Sequence, residues 1–283
     1  MIDLHTHTTA SDGRLAPDAL ARAAWEAGVR TLAITDHDTT AALAPARQAM
    51  AAWGIRLIEG IEITAVESER DVHVLGYFIT PNAPGLARFL ARARAGRIER
   101  VRAIAERLEQ LGRPIDLPRL LKDALVEPGR SIGRPAVADA LVRAGHVASR
   151  QQAFDEWLVP GRPAFVPRTG PSVAEVIATI HEAGGLASLA HPGLTKRDDA
   201  IAQWAEAGLD ALEAYHSEHS PEDTDRYLAR ARELGLLVTG GSDFHGEDQA
   251  RGRPTEYRRR IGAVTLPPAD LERLEAAALA RRG

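Results

Sequence analysis

Short apolar runs recur along the whole chain, and the side chains able to do chemistry sit at their ends. His5 and His7 follow IDL, with Asp12 in the loop beyond; His37 closes LAITDH, Glu62 lies in LIEGIEI and His73 in DVHVLGY. His191 closes LASLAH, and Asp243 and His245 lie in GGSDFHG after LLVTG. A sheet that gathers its strand ends at one rim brings all nine side chains together, so a single pattern constrains both fold and site.

From residue 1 to about residue 81 the apolar runs alternate with helical patterns, Pro17 to Ala27 and Thr40 to Ala52. Such alternation predicts βα units and a largely parallel sheet. Pro17 suits a first helical turn and Gly28 a stop. Arg70 to Ile79 reads as a further strand, paired antiparallel with the one before it. At Pro81-Asn82-Ala83-Pro84 the pattern changes: Leu86, Phe89, Leu90, Ala93, Val101, Ile104, Leu108 and Leu111 recur at helical spacing, followed by helical stretches at Pro135 to Ala144 and Ser149 to Leu158. From Ser172 the βα alternation resumes, and Pro267 to Ala280 reads as a surface helix. The expectation is an α/β fold in which residues 1–81 and 168–283 form one discontinuous barrel-like domain and residues 82–167 an inserted helical cap.

Composition narrows the chemistry. With no cysteine, disulfides, thiolate ligands and a cysteine nucleophile are all excluded. A formal net charge of -4 argues against a surface that coats nucleic acid at large. No charged N-terminal segment precedes an apolar stretch, and no apolar run approaches the roughly 20 residues needed to cross a bilayer. A cytoplasmic location and no membrane partner are expected.

Two imidazoles two positions apart, His5 and His7, point to the same face of a strand and can chelate one ion. Asp12, Asp36 and His37 add acid and imidazole at two strand ends, where packing alone does not account for them. Glu62 sits between Ile61 and Ile63. Either it faces outward on a half-exposed strand, or it is buried and needs the compensating charge that a position between two cations supplies. His73 between Val72 and Val74 is open to a core or a ligand reading. The glycines of GGSDFHG permit a tight path where side chains must converge.

HTHTTASDG, TDHD, GIEI, HVLGY, AHPG and GSDFHG, in this order, resemble the successive motifs of the PHP (polymerase and histidinol phosphatase) family of metal-dependent phosphoesterases. The resemblance implies a distorted (β/α)7 barrel with two or three divalent metal ions at the C-terminal ends of its strands. It places His5, His7, Glu62 and Asp243 around one ion, Glu62, His73 and His191 around a second, and Asp12, His37 and His245 around a third. Asp12, His37, Glu62, His191, Asp243 and His245 are the expected catalytic residues. Nitrogen and oxygen ligands without sulfur suit Mn, Zn or Fe, and the resemblance favours Mn.

The insertion after HVLGY, SIGRP at 131–135, GRPAFV at 161–166 and EAYH at 213–216 resemble one subgroup, which contains 3',5'-nucleoside bisphosphate phosphatases and 5'-to-3' exoribonucleases of short RNA. That subgroup commonly reads GRPH where this chain has Ala136, and tyrosine where it has Phe165. The expected reaction is hydrolysis of a phosphorylated nucleotide or short single-stranded RNA, not DNA, by a metal-activated hydroxide. A small-metabolite phosphatase, such as one for histidinol phosphate, and a non-catalytic binding module are the alternatives. Arg134 is the first candidate to hold substrate phosphate, in a bidentate fork, and Arg130 the second. His216 and His219 follow a strand end and are candidates to contact substrate. His146 and His181 are assigned structural or surface roles. Most of the arginines from Arg88 to Arg107 are expected to form a solvated helix face.

Overall fold

A computed structural model describes residues 1–68, 70–126, 132–246 and 260–282, with the side chains of 123–126 excepted. The elements run β1 (Ile2–Asp3), α1 (Pro17–Glu26), β2 (Thr31–Ile34), α2 (Leu43–Ala52), β3 (Arg56–Glu67) and β4 (Arg70–Tyr77). Four helices follow, α3 (Pro84–Gln110), α4 (Leu117–Val126), α5 (Arg134–Arg143) and α6 (Arg150–Ala153), the last running into a π-helical turn (Phe154–Leu158). The chain then continues through α7 (Val173–Glu182), β5 (Leu186–Leu189), α8 (Pro192–Thr195), α9 (Ile201–Glu206), β6 (Ala211–His216), α10 (Pro221–Leu234), β7 (Leu237–Gly241) and α11 (Pro268–Arg282).

Seven strands form one sheet in sequence order. β1, β2 and β3 pair parallel, β4 runs antiparallel to both of its neighbours, and β5, β6 and β7 pair parallel again. The sheet curls almost shut, because Leu4 donates to the Gly240 carbonyl, His7 donates to the Phe244 carbonyl, and Thr6 bridges Phe244. The expected seven-stranded α/β barrel is therefore present, including the antiparallel Arg70–Tyr77 strand.

Local sequence accounts for the helix ends. Pro17 opens α1. Ser172 with Glu175, and Ser220 with Asp223, close capping boxes on α7 and α10, each side chain satisfying a backbone N–H of the first turn. The main core lies between sheet and outer helices, built from residues such as Leu20, Ile34, Met50, Ile63, Ile180 and Trp204. A smaller core fills the barrel at its other end, where Leu4, Ala33, Ile58, Leu75, Tyr77 and Leu186 meet Leu271, Leu274 and Ala278 of α11. The C-terminal helix is a surface helix, as expected, and its one buried face closes this end of the barrel.

The 27-residue α3 joins two cores. Its first turns put Leu86 and Phe89 into the barrel core, and its later turns put Val101, Ile104 and Leu108 against Leu120, Val137, Leu141 and Leu158. Arg97 sits at the changeover. Among the described residues no helix is long and apolar enough to cross a membrane.

Candidate metal centre

All nine acid and histidine residues meet at the rim where the parallel strands end. Glu62 is the hub, and it is wholly buried. Its Oε2 lies 3.3 Å from His5 Nε2, 3.3 Å from His7 Nε2 and 3.1 Å from His37 Nδ1, while its Oε1 lies 2.8 Å from His73 Nδ1 and 3.1 Å from His191 Nε2. Each carboxylate oxygen therefore faces its own set of imidazoles. The antiparallel register explains the reach to His73: Glu62 pairs with Leu75, so His73 is its diagonal neighbour two residues along the partner strand. Asp243 Oδ1 is 3.4 Å from His5 Nε2 and 3.2 Å from His7 Nε2. Asp12 Oδ1 is 3.2 Å from His245 Nε2, and its Oδ2 is 3.8 Å from His37 Nε2.

The backbone is built to allow this convergence. A Cβ on Gly241 would lie 2.3 Å from the His5 amide nitrogen, and one on Gly13 would lie 2.5 Å from the His7 carbonyl. Only glycine permits either approach. Asp38, His191 and Asp243, each just past the end of a strand, all adopt positive φ, and such strained conformations cluster at functional sites. Asp36 accepts from the Thr8 amide (2.7 Å), the Thr8 hydroxyl (2.7 Å) and the Ser11 hydroxyl (2.6 Å), which ties down the loop carrying Asp12.

Whether these residues fit cations is tested by what their atoms lack. Both ring nitrogens of His7, Nδ1 of His37, His73 and His191, and Nε2 of His216 are buried without a hydrogen bond. Several lie about 3 Å from carboxylate oxygens yet are not aligned to share a proton with them. Two ligands about 2.1 Å from one ion at a right angle are themselves roughly 3 Å apart, so the spacing suits atoms that share an ion. Four groups converge closely enough to do so: His5, His7 and Asp243; His7, Asp12, His37 and His245; His37, Glu62 and His73; and His5, Glu213 and His216. The first is the expected set of His5, His7, Glu62 and Asp243 without Glu62, and the second is the expected set of Asp12, His37 and His245 with His7 added. In the third, His37 joins Glu62 and His73, while His191 lies beside the same Glu62 Oε1 as His73, the grouping expected of these three residues.

Electrostatics divide the rings: against their burial, neighbouring carboxylates raise His5, His73 and, to about 9, His245, so these rings carry protons that a bound cation displaces. Burial opposes ionisation of Glu62, but His37, His73 and His5 outweigh it and hold the carboxyl well below its usual range. Burial outweighs Glu62 and Asp12 at His37 and pulls that ring down to about 3, so it is neutral with a lone pair to offer.

Above this floor lies a cavity of about 490 Å³, bounded by Asp12, His37 and His73 on one side and by Arg97, Arg100, Arg134 and Arg168 on the other. Arg168 reaches Asp38 at 3.6 Å and Asp71 at 3.7 Å; Arg134 reaches Asp71 at 3.5 Å. Arg97 contacts Asp38, donates to the Thr64 hydroxyl at 3.1 Å, and leaves its buried Nε without a partner. Burial, with Arg134 nearby, pushes Arg100 down to about 10. Four guanidiniums against two carboxylates leave this wall positive.

The other sequence candidates fall in different places. Arg134 lines the cavity, as does Ala136, whereas Arg130 lies outside the described residues. His216 and His219 are buried. His216 Nε2 lies 3.6 Å from Asp243 Oδ2, while His219 pairs its Nδ1 with the Ala214 carbonyl and its Nε2 with the Gly193 amide. His181 pairs with Asp210, and His146 with the Pro114 carbonyl. Arg97 and Arg100 depart from the solvated face expected for their helix. Glu213 and Arg168 were not among the sequence candidates. β6 has a bulge between Glu213 and Tyr215, and this register shift is what lets Glu213 and His216, three residues apart, enter one buried cluster with His5.

The PHP domain model matches residues 3–120. The chain is 39% identical over 254 residues to the 5'-3' exoribonuclease Rnm of Escherichia coli (strain K12), covering 86% of this chain and 84% of that protein. It is 34% identical over 275 residues to the 3',5'-nucleoside bisphosphate phosphatase of Chromobacterium violaceum, covering 94% and 93%. Among solved structures, a Bifidobacterium adolescentis protein assigned as a metal-dependent phosphoesterase superposes with a TM-score of 0.83 at 35% identity, over 99% of this chain and 95% of that one. The ordered motifs, the barrel and these likenesses agree: the chain belongs to the PHP domain family.

Proposed function

We propose that this protein is a metal-dependent phosphoesterase that removes the 3'-phosphate of 3',5'-nucleoside bisphosphates and degrades short 5'-phosphorylated RNA in the 5'-to-3' direction. The observation that carries the reading is the pairing of opposite walls in one cavity, an imidazole and carboxylate floor facing an arginine wall. A substrate with two phosphates has one for each.

The floor residues His5, His7, Asp12, His37, Glu62, His73, His191, Asp243 and His245 would hold two or three divalent ions, with Mn favoured. Such ions, when bound, activate water and neutralise charge on phosphoryl oxygens. The protein's own groups do the rest. Arg134 and Arg168 would grip the phosphate that is not cleaved and set the scissile one over the floor, since a guanidinium fork fixes orientation as well as charge. Asp12 faces the cavity with 47% of its side chain exposed, and, against burial, His37 and His245 hold its carboxyl well below the usual range, so it stays ionised as a ligand. The helical insertion, residues 82–167, would supply recognition, because α3 and α5 bring Arg97, Arg100 and Arg134 to the wall.

Release of phosphate from 3',5'-adenosine bisphosphate, and of mononucleotides from a short 5'-phosphorylated RNA, tests the reading with Mn-loaded and chelator-treated protein. Turnover that disappears on chelation supports it. No turnover of either substrate by fully loaded protein sinks it and turns attention to a small metabolite such as histidinol phosphate.

A further inference from the structure

Glu213 is a wholly buried carboxylate beside the site with no place among the nine expected ligands. Its Oε1 accepts from His5 Nδ1 at 2.9 Å, and its Oε2 accepts from the backbone N–H of His191 at 2.7 Å. One carboxylate thus spans two residues of the centre, contributed by opposite parts of the barrel.

We propose that Glu213 is a positioning residue for the metal centre, fixing the tautomer of His5 and the backbone of His191 through these two hydrogen bonds. The inference rests on the metal-centre reading. At His5 the hydrogen bond decides where the proton sits. A carboxylate that accepts from Nδ1 requires the proton there, so once a cation displaces the second proton of this ring, Nε2 is the atom left with a lone pair. That Nε2 faces Glu62 Oε2 at 3.3 Å and Asp243 Oδ1 at 3.4 Å, an arrangement of three electron-rich atoms that asks for a cation between them. A carboxylate behind a ligating imidazole also raises its basicity and holds its ring plane.

At His191 the hydrogen bond acts on backbone conformation. Its φ of 30° and ψ of 60° lie in the left-handed region, where residues other than glycine are uncommon, and the residue before a proline is normally extended. The N–H of this strained residue is directed at Glu213 Oε2. The same residue offers Nε2 to Glu62 at 3.1 Å, so a shift of this backbone moves a ring of the centre. The bulge in β6 aims Glu213 at both targets.

The isosteric change Glu213→Gln separates this role from packing. A glutamine has one acceptor oxygen for two N–H donors. If the oxygen stays with His191, its NH2 donates to His5 Nδ1 and drives the proton to Nε2, where it blocks ligation. If the oxygen turns to His5, the NH2 opposes the His191 N–H. Zn2+, which is diamagnetic, serves as the probe: calorimetric titration gives affinity and stoichiometry, and imidazole 15N correlation spectra give the protonated nitrogen of His5. In Zn-loaded wild type, His5 is expected protonated at Nδ1 and unprotonated at Nε2. Glu213→Gln is expected to bind Zn2+ roughly 10- to 100-fold more weakly, with the His5 proton moved to Nε2 or the His191 amide resonance displaced. Glu213→Asp, which keeps charge and two acceptors, is expected to retain the Nδ1 proton even where affinity falls.

Unchanged Zn2+ affinity and unchanged His5 and His191 signals in Glu213→Gln overturn the proposal. So does a His5 in Zn-loaded wild type that lacks the Nδ1 proton, a result that needs no variant to fold. Wild type that binds no Zn2+ instead overturns the metal-centre reading beneath it.

Discussion

The floor and the wall of the cavity are built in opposite ways. The floor projects from strand ends, its backbone pressed so close that Gly241 and Gly13 tolerate no side chain, and several of its ring nitrogens, both of His7's among them, are left without hydrogen bonds. The wall comes from α3, α5 and the segment before α7, and most of its long side chains already lean on carboxylates, Arg97 and Arg168 on Asp38 and Arg134 and Arg168 on Asp71. A floor of unsatisfied lone pairs waits for cations, whereas a wall of surplus guanidiniums waits for an anion. One half is therefore fixed before any ligand arrives, and the other can exchange its carboxylate partners for a phosphate.

The hardest blow to this division falls on Glu62, whose two oxygens face two imidazole sets. In Glu62→Gln one oxygen becomes an NH2 that cannot ligate, and the buried rings lose the negative charge that offsets a bound cation. The expected result is loss of at least one bound ion by elemental analysis and a fall in kcat/KM on the order of 10³-fold. A variant that keeps its full metal content and turnover removes Glu62 from the centre.

Arg134→Ala strikes the wall alone. Charge-assisted hydrogen bonds contribute about 1.5–3 kcal/mol each, so KM for 3',5'-adenosine bisphosphate should rise roughly 10- to 100-fold while metal content stays at the wild-type level. The comparison sharpens if a mononucleotide with a single phosphate shows a smaller rise. Equal loss of metal and of substrate affinity would mean that floor and wall are one structure.

The two halves also differ in how far the sequence discloses them. The floor is legible because each ligand sits at the end of an apolar run, and strand ends in an α/β sheet share a rim; His5, His37, Glu62, His191 and Asp243 can be picked out from position alone. Glu213 is hidden by the bulge, which breaks the alternation that otherwise assigns faces. Arg97 and Arg100 are hidden by their helix, since a run rich in arginine reads as solvated until the changeover between two cores turns one stretch of α3 inward. The seat of the surface helix α11, though not the helix itself, is hidden for a similar reason. Leu271, Leu274 and Ala278 have the spacing of a buried stripe, but their target is assembled from the starts of strands far apart in the chain.

Ala136 offers the finest discrimination between the halves. It lines the cavity at the first turn of α5, two residues after Arg134, where the resembling subgroup commonly carries histidine. Ala136→His adds a donor to the wall without touching the floor. A single net hydrogen bond contributes about 0.5–1.5 kcal/mol, so KM for the bisphosphate should fall roughly 2- to 10-fold with kcat and metal content unchanged. If kcat changes instead while KM holds, the position acts on the chemistry rather than on capture, and the boundary between anion wall and cation floor has to be redrawn to include the start of α5.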